Sequence, residues 1–258
     1  LDICLVAQGT LDAWIDLSSH GVWDYLASVH ICAEAGAQVG ELNGQHVVVV
    51  GATGVLGASI ARQLAAHGAR VSAIVRGHAR LDGASVSQYA PADVTDTAAL
   101  RTAIASVAPF DGFVNATGVV AFGNVADLDD ATLARLFAVN SVAPLVMLRE
   151  CATHLADGGF FVNISGVVAT QPVGGMAAYS ASKAAAWAAL LAASREFRRR
   201  RIDVIDARPP HTETGLASRP LAGVAPKMPQ GLEPNAVARR IVDAVIAGDR
   251  DVSTESFA

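Results

Sequence analysis

The chain has 258 residues, 52% hydrophobic, 17% charged and 5% aromatic, which is enough apolar material for a full core and excludes a disordered or fibrous protein. A net charge of −5 leaves no electrostatic footprint for nucleic acid or an anionic membrane surface, and no stretch reaches the roughly 18 charge-free apolar residues of a membrane span. Cys4, Cys32 and Cys151 are scattered and the seven histidines lack H-x-x-x-H or H-x-H spacing, so no disulfide frame or metal site is expected and the usage fits a reducing, cytoplasmic compartment.

Residues 1–41 stand apart, with Trp14, Trp23 and a helix expected over 22–35. A piece this small is near the limit for folding alone, so it is expected to lean on the rest of the chain or on another chain. The start at Leu1 reads as a fragment or a processed product. From His46 onward, short apolar runs alternate with helical patterns, the order of β-α-β units. Strands are expected over 46–50, 70–75, 86–89, 110–115, 159–164 and 202–207, with only 251–253 available as a seventh. Helices are expected over 55–67, 97–107, 129–155, 179–201 and 233–247. The strands read as apolar throughout, so both sheet faces must be covered. The fold class is therefore α/β, a doubly wound parallel sheet in three α-β-α layers, over 42–258.

The first predicted strand runs into Gly51-Ala52-Thr53-Gly54-Val55-Leu56-Gly57 and then a helix. Glycine at such a turn lets the backbone approach a pyrophosphate, while the unpaired amides and positive end of the helix face the anion. The string alone also suits a plain tight turn, and its place at the first β-α junction favours dinucleotide binding. The second strand ends in Val75-Arg76, with no acid until Asp82. A guanidinium there suits a ribose 2′-phosphate, so NADP(H) is preferred and NAD(H) remains possible; a solvated loop arginine is the alternative.

Tyr179 and Lys183 are four apart at the start of a helical run, on one face and one turn apart. An ammonium beside a phenol favours the phenolate, so the pair is expected to have a lowered phenol pKa and to do acid–base work. Alone, Y-x-x-x-K usually decorates a helix surface. Here it follows the fifth strand, on the carboxyl side of the sheet where ligands bind.

With these motifs in order, residues from about 42 to 247 resemble the short-chain dehydrogenase/reductase family, single-domain Rossmann enzymes that move hydride between a nicotinamide cofactor and a carbonyl or alcohol. The glycine loop, Asp93-Val94, Asn115-Ala116-Thr117-Gly118, Asn140 and Tyr179/Lys183 carry the resemblance. It implies that Asp93 and Val94 flank the adenine, and that Asn115 and Gly118 support cofactor and sheet. Tyr179 becomes the proton donor in reduction, Lys183 holds the ribose hydroxyls, and Asn140 keeps a water in the proton relay. In Pro209-Pro210-His211-Thr212-Glu213-Thr214, Pro209, Thr212 and Thr214 border the nicotinamide and its phosphates. The resemblance also implies a homodimer or homotetramer, with the alanine-rich 184–193 helix face allowing close contact.

Several positions depart from the family pattern. The usual serine thirteen residues before the tyrosine is Gly166 here, with Ser165 adjacent. Side chains alternate along a strand, so Ser165 substitutes for it only if the chain bends at Gly166. A lost donor costs about 3 kcal/mol in the barrier. Val55 replaces a glycine of the shorter members, and Pro210 stiffens the loop after Pro209. Separately, residues 1–40, with Trp14 and Trp23-Asp24-Tyr25, are similar to the C-terminal part of inositol monophosphatase-type phosphatases, where the matching aspartate binds metal. One carboxylate cannot hold magnesium, so Asp24 is read as a helix N-cap.

Two functions are carried forward. One is an NADP(H)-dependent oxidoreductase acting on a small carbonyl or alcohol, its pocket lined by the mostly apolar 167–178 and 216–228. The other is a dinucleotide-binding sensor or scaffold with little turnover, motivated by Gly166.

Overall fold

The computed structural model describes residues 42–77 and 86–257. Its strands are β1 (His46–Val50), β2 (Arg70–Val75), β3 (Val86–Pro91), β4 (Phe110–Asn115), β5 (Leu155–Ile164), β6 (Asp203–Ala207) and β7 (Asp251–Val252). The helices are α1 (Val55–Ala66), α2 (Thr97–Ser106), α3 (Asp130–Phe137), α4 (Ala143–His154), α5 (Ala177–Glu196) and α6 (Pro234–Ala247). The chain divides after Glu41. The expected N-terminal helix, Trp14, Trp23, Asp24, Cys4 and Cys32 lie outside the described residues.

All pairings are parallel and the strand order is β3-β2-β1-β4-β5-β6-β7, so β1 and β4 meet where the winding reverses. This is the point at which an open α/β sheet splays its loops into a crevice. β1 is four valines after a histidine, every residue buried, because helices cover both faces. One face packs α2, α4 and α5 around Phe113, Phe161 and Met147; the other packs α1 and α6 around Val49, Ile60 and Ile241. Asp96 starts α2 by accepting from the amides of Ala98 and Ala99, and Asp129 starts α3 through Thr132.

Some elements differ from the sequence reading. β3 is not apolar throughout: Ser87 and Gln88 are exposed because it is the sheet edge. β5 begins at Leu155, before the apolar run, through a register shift against β4. The single helix expected over 129–155 is interrupted by a π-helical segment, Ala138–Val142, carrying Asn140. By length and composition the run Asp130–His154 could cross a membrane, yet 56% of its apolar window is buried inside the protein, as for a core helix. The sheet's far edge, β7, has two residues.

Candidate active site

The cleft forms at the carboxyl ends of β1, β4, β5 and β6 and has a volume of about 420 Å³. Its floor begins at the glycine loop. Gly51 has φ +81°, a left-handed conformation that glycine adopts without strain, and its amide bonds the Ile74 carbonyl (3.0 Å). A Cβ at Gly57 would stand 2.3 Å from the Gly51 carbonyl oxygen, so only glycine lets loop and helix close. Gly54 precedes α1 without a side-chain cap, which leaves the amides of Val55, Leu56 and Gly57 at an open helix end on the cleft.

Asn115 ends β4 and accepts from both the amide (3.1 Å) and the hydroxyl (2.6 Å) of Thr117, turning the chain toward Gly118. Gly118 lets Lys183 approach: a Cβ there would lie 3.2 Å from Lys183 Nζ and 3.6 Å from Asn140 Oδ1. Asn140 is buried, and both ends of its side-chain amide are hydrogen-bonded. Oδ1 accepts from the Val119 amide (3.0 Å), while Nδ2 donates to the Val119 carbonyl (2.9 Å) and Ser182 Oγ (3.0 Å). The π segment thus clamps the loop after β4 to α5.

Tyr179 and Lys183 project from the first turns of α5, both buried, and both line the cleft. Lys183 Nζ donates to the Ile164 carbonyl (2.9 Å), which leaves two of its protons for other partners. Burial pushes the Tyr179 phenol up to about 12 and the Lys183 ammonium down to about 8, the latter opposed by the Asp206 carboxylate. The expectation of a lowered phenol is therefore corrected. Among the protein's own groups, loss of water around Tyr179 outweighs the neighbouring cation.

The chain does bend at Gly166, with φ +83° and ψ 164°, but the Ser165 hydroxyl donates to Asp206 Oδ2 at 2.6 Å and the residue is 1% exposed. Its one proton is committed to that carboxylate, which corrects the expectation that Ser165 substitutes for the missing donor. Among the predicted cofactor residues, Gly54, Val55, Leu56, Gly57, Gly118, Pro209, Thr212 and Thr214 line the cleft. Gly51, Thr53 and Asn115 are not among the residues that line it. Arg76 stands exposed just past β2, and Asp93 and Val94 follow β3, the Asp93 carboxyl held low by two bonds from Thr95.

The sequence reading missed three features. Val120 and Phe122 add apolar wall and His211 adds a polar group to it, whereas Arg219 falls within the expected 216–228 lining. Asp206 and Arg208 form an ion pair of 3.2 Å with side chains only 6% and 8% exposed. A carboxylate inside the apolar run of β6 was the available signal, since such a group must find partners. A second hollow of about 320 Å³, between α5 and the β6–β7 edge, contains none of the predicted site residues.

Residues 45–222 match the short chain dehydrogenase family model, and residues 1–76 match that of the inositol monophosphatase family. The chain is 32% identical over 189 residues to galactitol 2-dehydrogenase (L-tagatose-forming) of Cereibacter sphaeroides, covering 68% of this chain and 74% of that one. It is 29% identical over 190 residues to the cyclic-di-GMP-binding biofilm dispersal mediator protein of Escherichia coli, covering 71% and 80%. A short chain dehydrogenase from Burkholderia cenocepacia, solved in complex with NADP, superposes with a TM-score of 0.73 at 28% identity, covering 83% of this chain and 97% of that one. Sheet order, cleft and family match agree, and the chain belongs to the short-chain dehydrogenase family of oxidoreductases.

Proposed function

We propose that the protein transfers hydride between NADP(H) and a small carbonyl or secondary-alcohol substrate, with Tyr179 exchanging the proton of the substrate oxygen. The observation that carries this reading is the meeting, in one cleft, of the open amides of α1 with the Tyr179 phenol and Lys183 ammonium. The nicotinamide, when bound, supplies or accepts the hydride. The amides of Val55, Leu56 and Gly57 hold the pyrophosphate, with Gly51, Thr53 and Gly54 shaping the loop. Arg76 takes the 2′-phosphate, and Asp93 and Val94 flank the adenine. Asn115 and Gly118 support the ribose side, and Pro209, Thr212 and Thr214 border the nicotinamide. The free protons of Lys183 suit ribose hydroxyls. NAD(H) is the weaker cofactor on this reading.

A phenol is protonated at neutral pH and burial raises this one further, so Tyr179 stands as a loaded acid in the reducing direction. The phenolate left behind lies beside the Lys183 ammonium, which stabilises it. The wall of Val120, Phe122, Val168, Val173 and Met176 suits an apolar substrate body. Val142, Leu145 and Leu191 are 45–49% exposed on the π segment, α4 and α5, and suit a homodimer or homotetramer.

A second reading, a dinucleotide-binding sensor with little turnover, is favoured by one observation: residue 166 has no hydroxyl and that of Ser165 is held by Asp206. A relative named for binding cyclic-di-GMP points the same way. The two are separated by carbonyl-dependent NADPH oxidation. Tyr179→Phe should lower it by about a thousandfold while NADPH binding persists. Tight NADPH binding without turnover across a broad carbonyl and alcohol panel would establish the sensor instead.

A further inference from the structure

The hollow between α5 and the β6–β7 edge has no part in the hydride-transfer reading. Its volume of about 320 Å³ falls at the lower end of the range for small-molecule sites. Trp187, Leu190 and Leu191 of α5, with Ile202 and Val204 at the start of β6, give it apolar walls. Four arginines border the same space against two aspartates, Asp206 and Asp251. Two of the four are neutralised. Arg208 lies between Asp206 (Nη1 to Oδ2, 3.2 Å) and Asp251 (Nη2 to Oδ1, 2.7 Å), and Arg250 Nε meets Asp203 Oδ1 at 2.7 Å. The other two, Arg198 and Arg201, are exposed and have no ion pair or side-chain hydrogen bond among the described residues.

The local backbone brings these two together. α5 ends in a 3₁₀ turn, Phe197–Arg200, and residues three apart eclipse in such a turn, so Arg198 and Arg201 share a side while Phe197 packs into the core. Arg200 turns away, to the Asp157 carboxylate (2.6 Å) and the Ala152 carbonyl (2.7 Å), and Arg199 does not border the hollow. Arg201 closes the turn with its amide on the Arg198 carbonyl (3.0 Å), at φ +55° and ψ 30°. Among the described residues it is the one non-glycine at positive φ. Glycine holds that conformation freely and arginine only with strain. Strained backbone of this kind gathers at ligand sites, where the side chain it presents has a use.

We propose that this hollow is a second ligand site, for a small aromatic carboxylate whose ring lies against Trp187 and its leucine neighbours and whose head is taken by the Arg198 and Arg201 guanidiniums. A planar guanidinium matches a carboxylate fork to fork, and an anion between two cations relieves their repulsion. Exposed arginines alone hold an anion weakly and lose it to salt, so the site depends on the apolar wall and the charged rim together. It stands whether or not Tyr179 exchanges a proton with a substrate in the cleft.

The chain has three tryptophans, Trp14, Trp23 and Trp187, so full-length protein carrying 5-fluorotryptophan gives three ¹⁹F signals, the last assigned with Trp187→Phe. Titrated with 1-naphthoate, the Trp187 signal should shift and saturate. Arg201→Gly removes the guanidinium and relieves the left-handed residue, so it should unfold at no lower denaturant concentration than the natural chain yet bind 1-naphthoate about tenfold more weakly. Arg198→Ala should weaken binding to a similar degree, whereas Arg199→Ala, from the same basic run but outside the hollow, should not. The neutral 1-naphthalenemethanol should bind about tenfold more weakly than 1-naphthoate. An unmoved Trp187 signal, or equal affinity for the neutral probe, would overturn the proposal. So would an equal loss in Arg199→Ala, which would leave only diffuse attraction to a basic run. A Trp187 signal that follows protein concentration instead of probe would mean that a second copy of the chain covers the hollow, and overturns it as well.

Discussion

The two sides of the cleft are built from different material. On the β1–β2 side the site is backbone, a loop of glycines and the bare amides of α1, with no side-chain cap. On the β5–β6 side it is side chain, a phenol and an ammonium sunk among hydrogen-bonded amides, a carboxylate and a guanidinium. A site made of backbone fails when atoms are added to it. A site made of buried polar groups fails when one partner is taken away, because the group left behind is unsatisfied.

The sharpest test of the first half is Gly57→Ala. Its methyl group would stand 2.3 Å from the Gly51 carbonyl oxygen and 2.9 Å from its carbon, both backbone atoms that cannot swing aside. The variant should lose about 2–3 kcal/mol of stability and bind NADPH poorly, since relief requires the loop to move off α1. Denaturant unfolding with cofactor titration reads both, and an unaltered midpoint would break the contrast at its stronger end.

On the other half, Ser165→Ala removes a donor from a buried carboxylate without adding an atom. The expected loss is about 2 kcal/mol, typical of a hydrogen bond to a charged group, with turnover largely kept. A fall in turnover of a hundredfold or more at unchanged stability would mean that the hydroxyl serves the substrate after all.

The same contrast explains what could be read from the chain before folding. The glycine loop, the strand before it and the Tyr179/Lys183 spacing are local, so periodicity and turn chemistry placed them at the right ends of the right elements. The π segment at Asn140 follows from no local preference; it is fixed by bonds to Val119 and Ser182, 21 and 42 residues away. The fate of Ser165 was illegible for the same reason. Alternation along β5 gave its face, but its partner Asp206 is 41 residues distant and meets it only through the β5–β6 register. The phenol's pKa was misjudged because a cation one turn away is visible in the sequence, whereas burial is a property of the whole fold.

On the proposed reading Arg76 is the side chain that gives the β1–β2 half its preference for NADP(H), and the effect expected of it is the smallest. The guanidinium is exposed past the end of β2 and has no ion-pair partner among the described residues; its charge helps lower the nearby Asp93 carboxyl. An exposed cation of this kind acts through water and is screened by salt, unlike the amides at the end of α1. Arg76→Ala should therefore weaken NADPH about tenfold, leave NADH nearly unchanged, and do so less as ionic strength rises. Equal weakening of the two cofactors would mean that Arg76 holds the loop or the shared phosphates. A tenfold loss that persists in high salt would place the 2′-phosphate in a desolvated pocket, and the cofactor side would then depend on buried charge much as the Tyr179 side does.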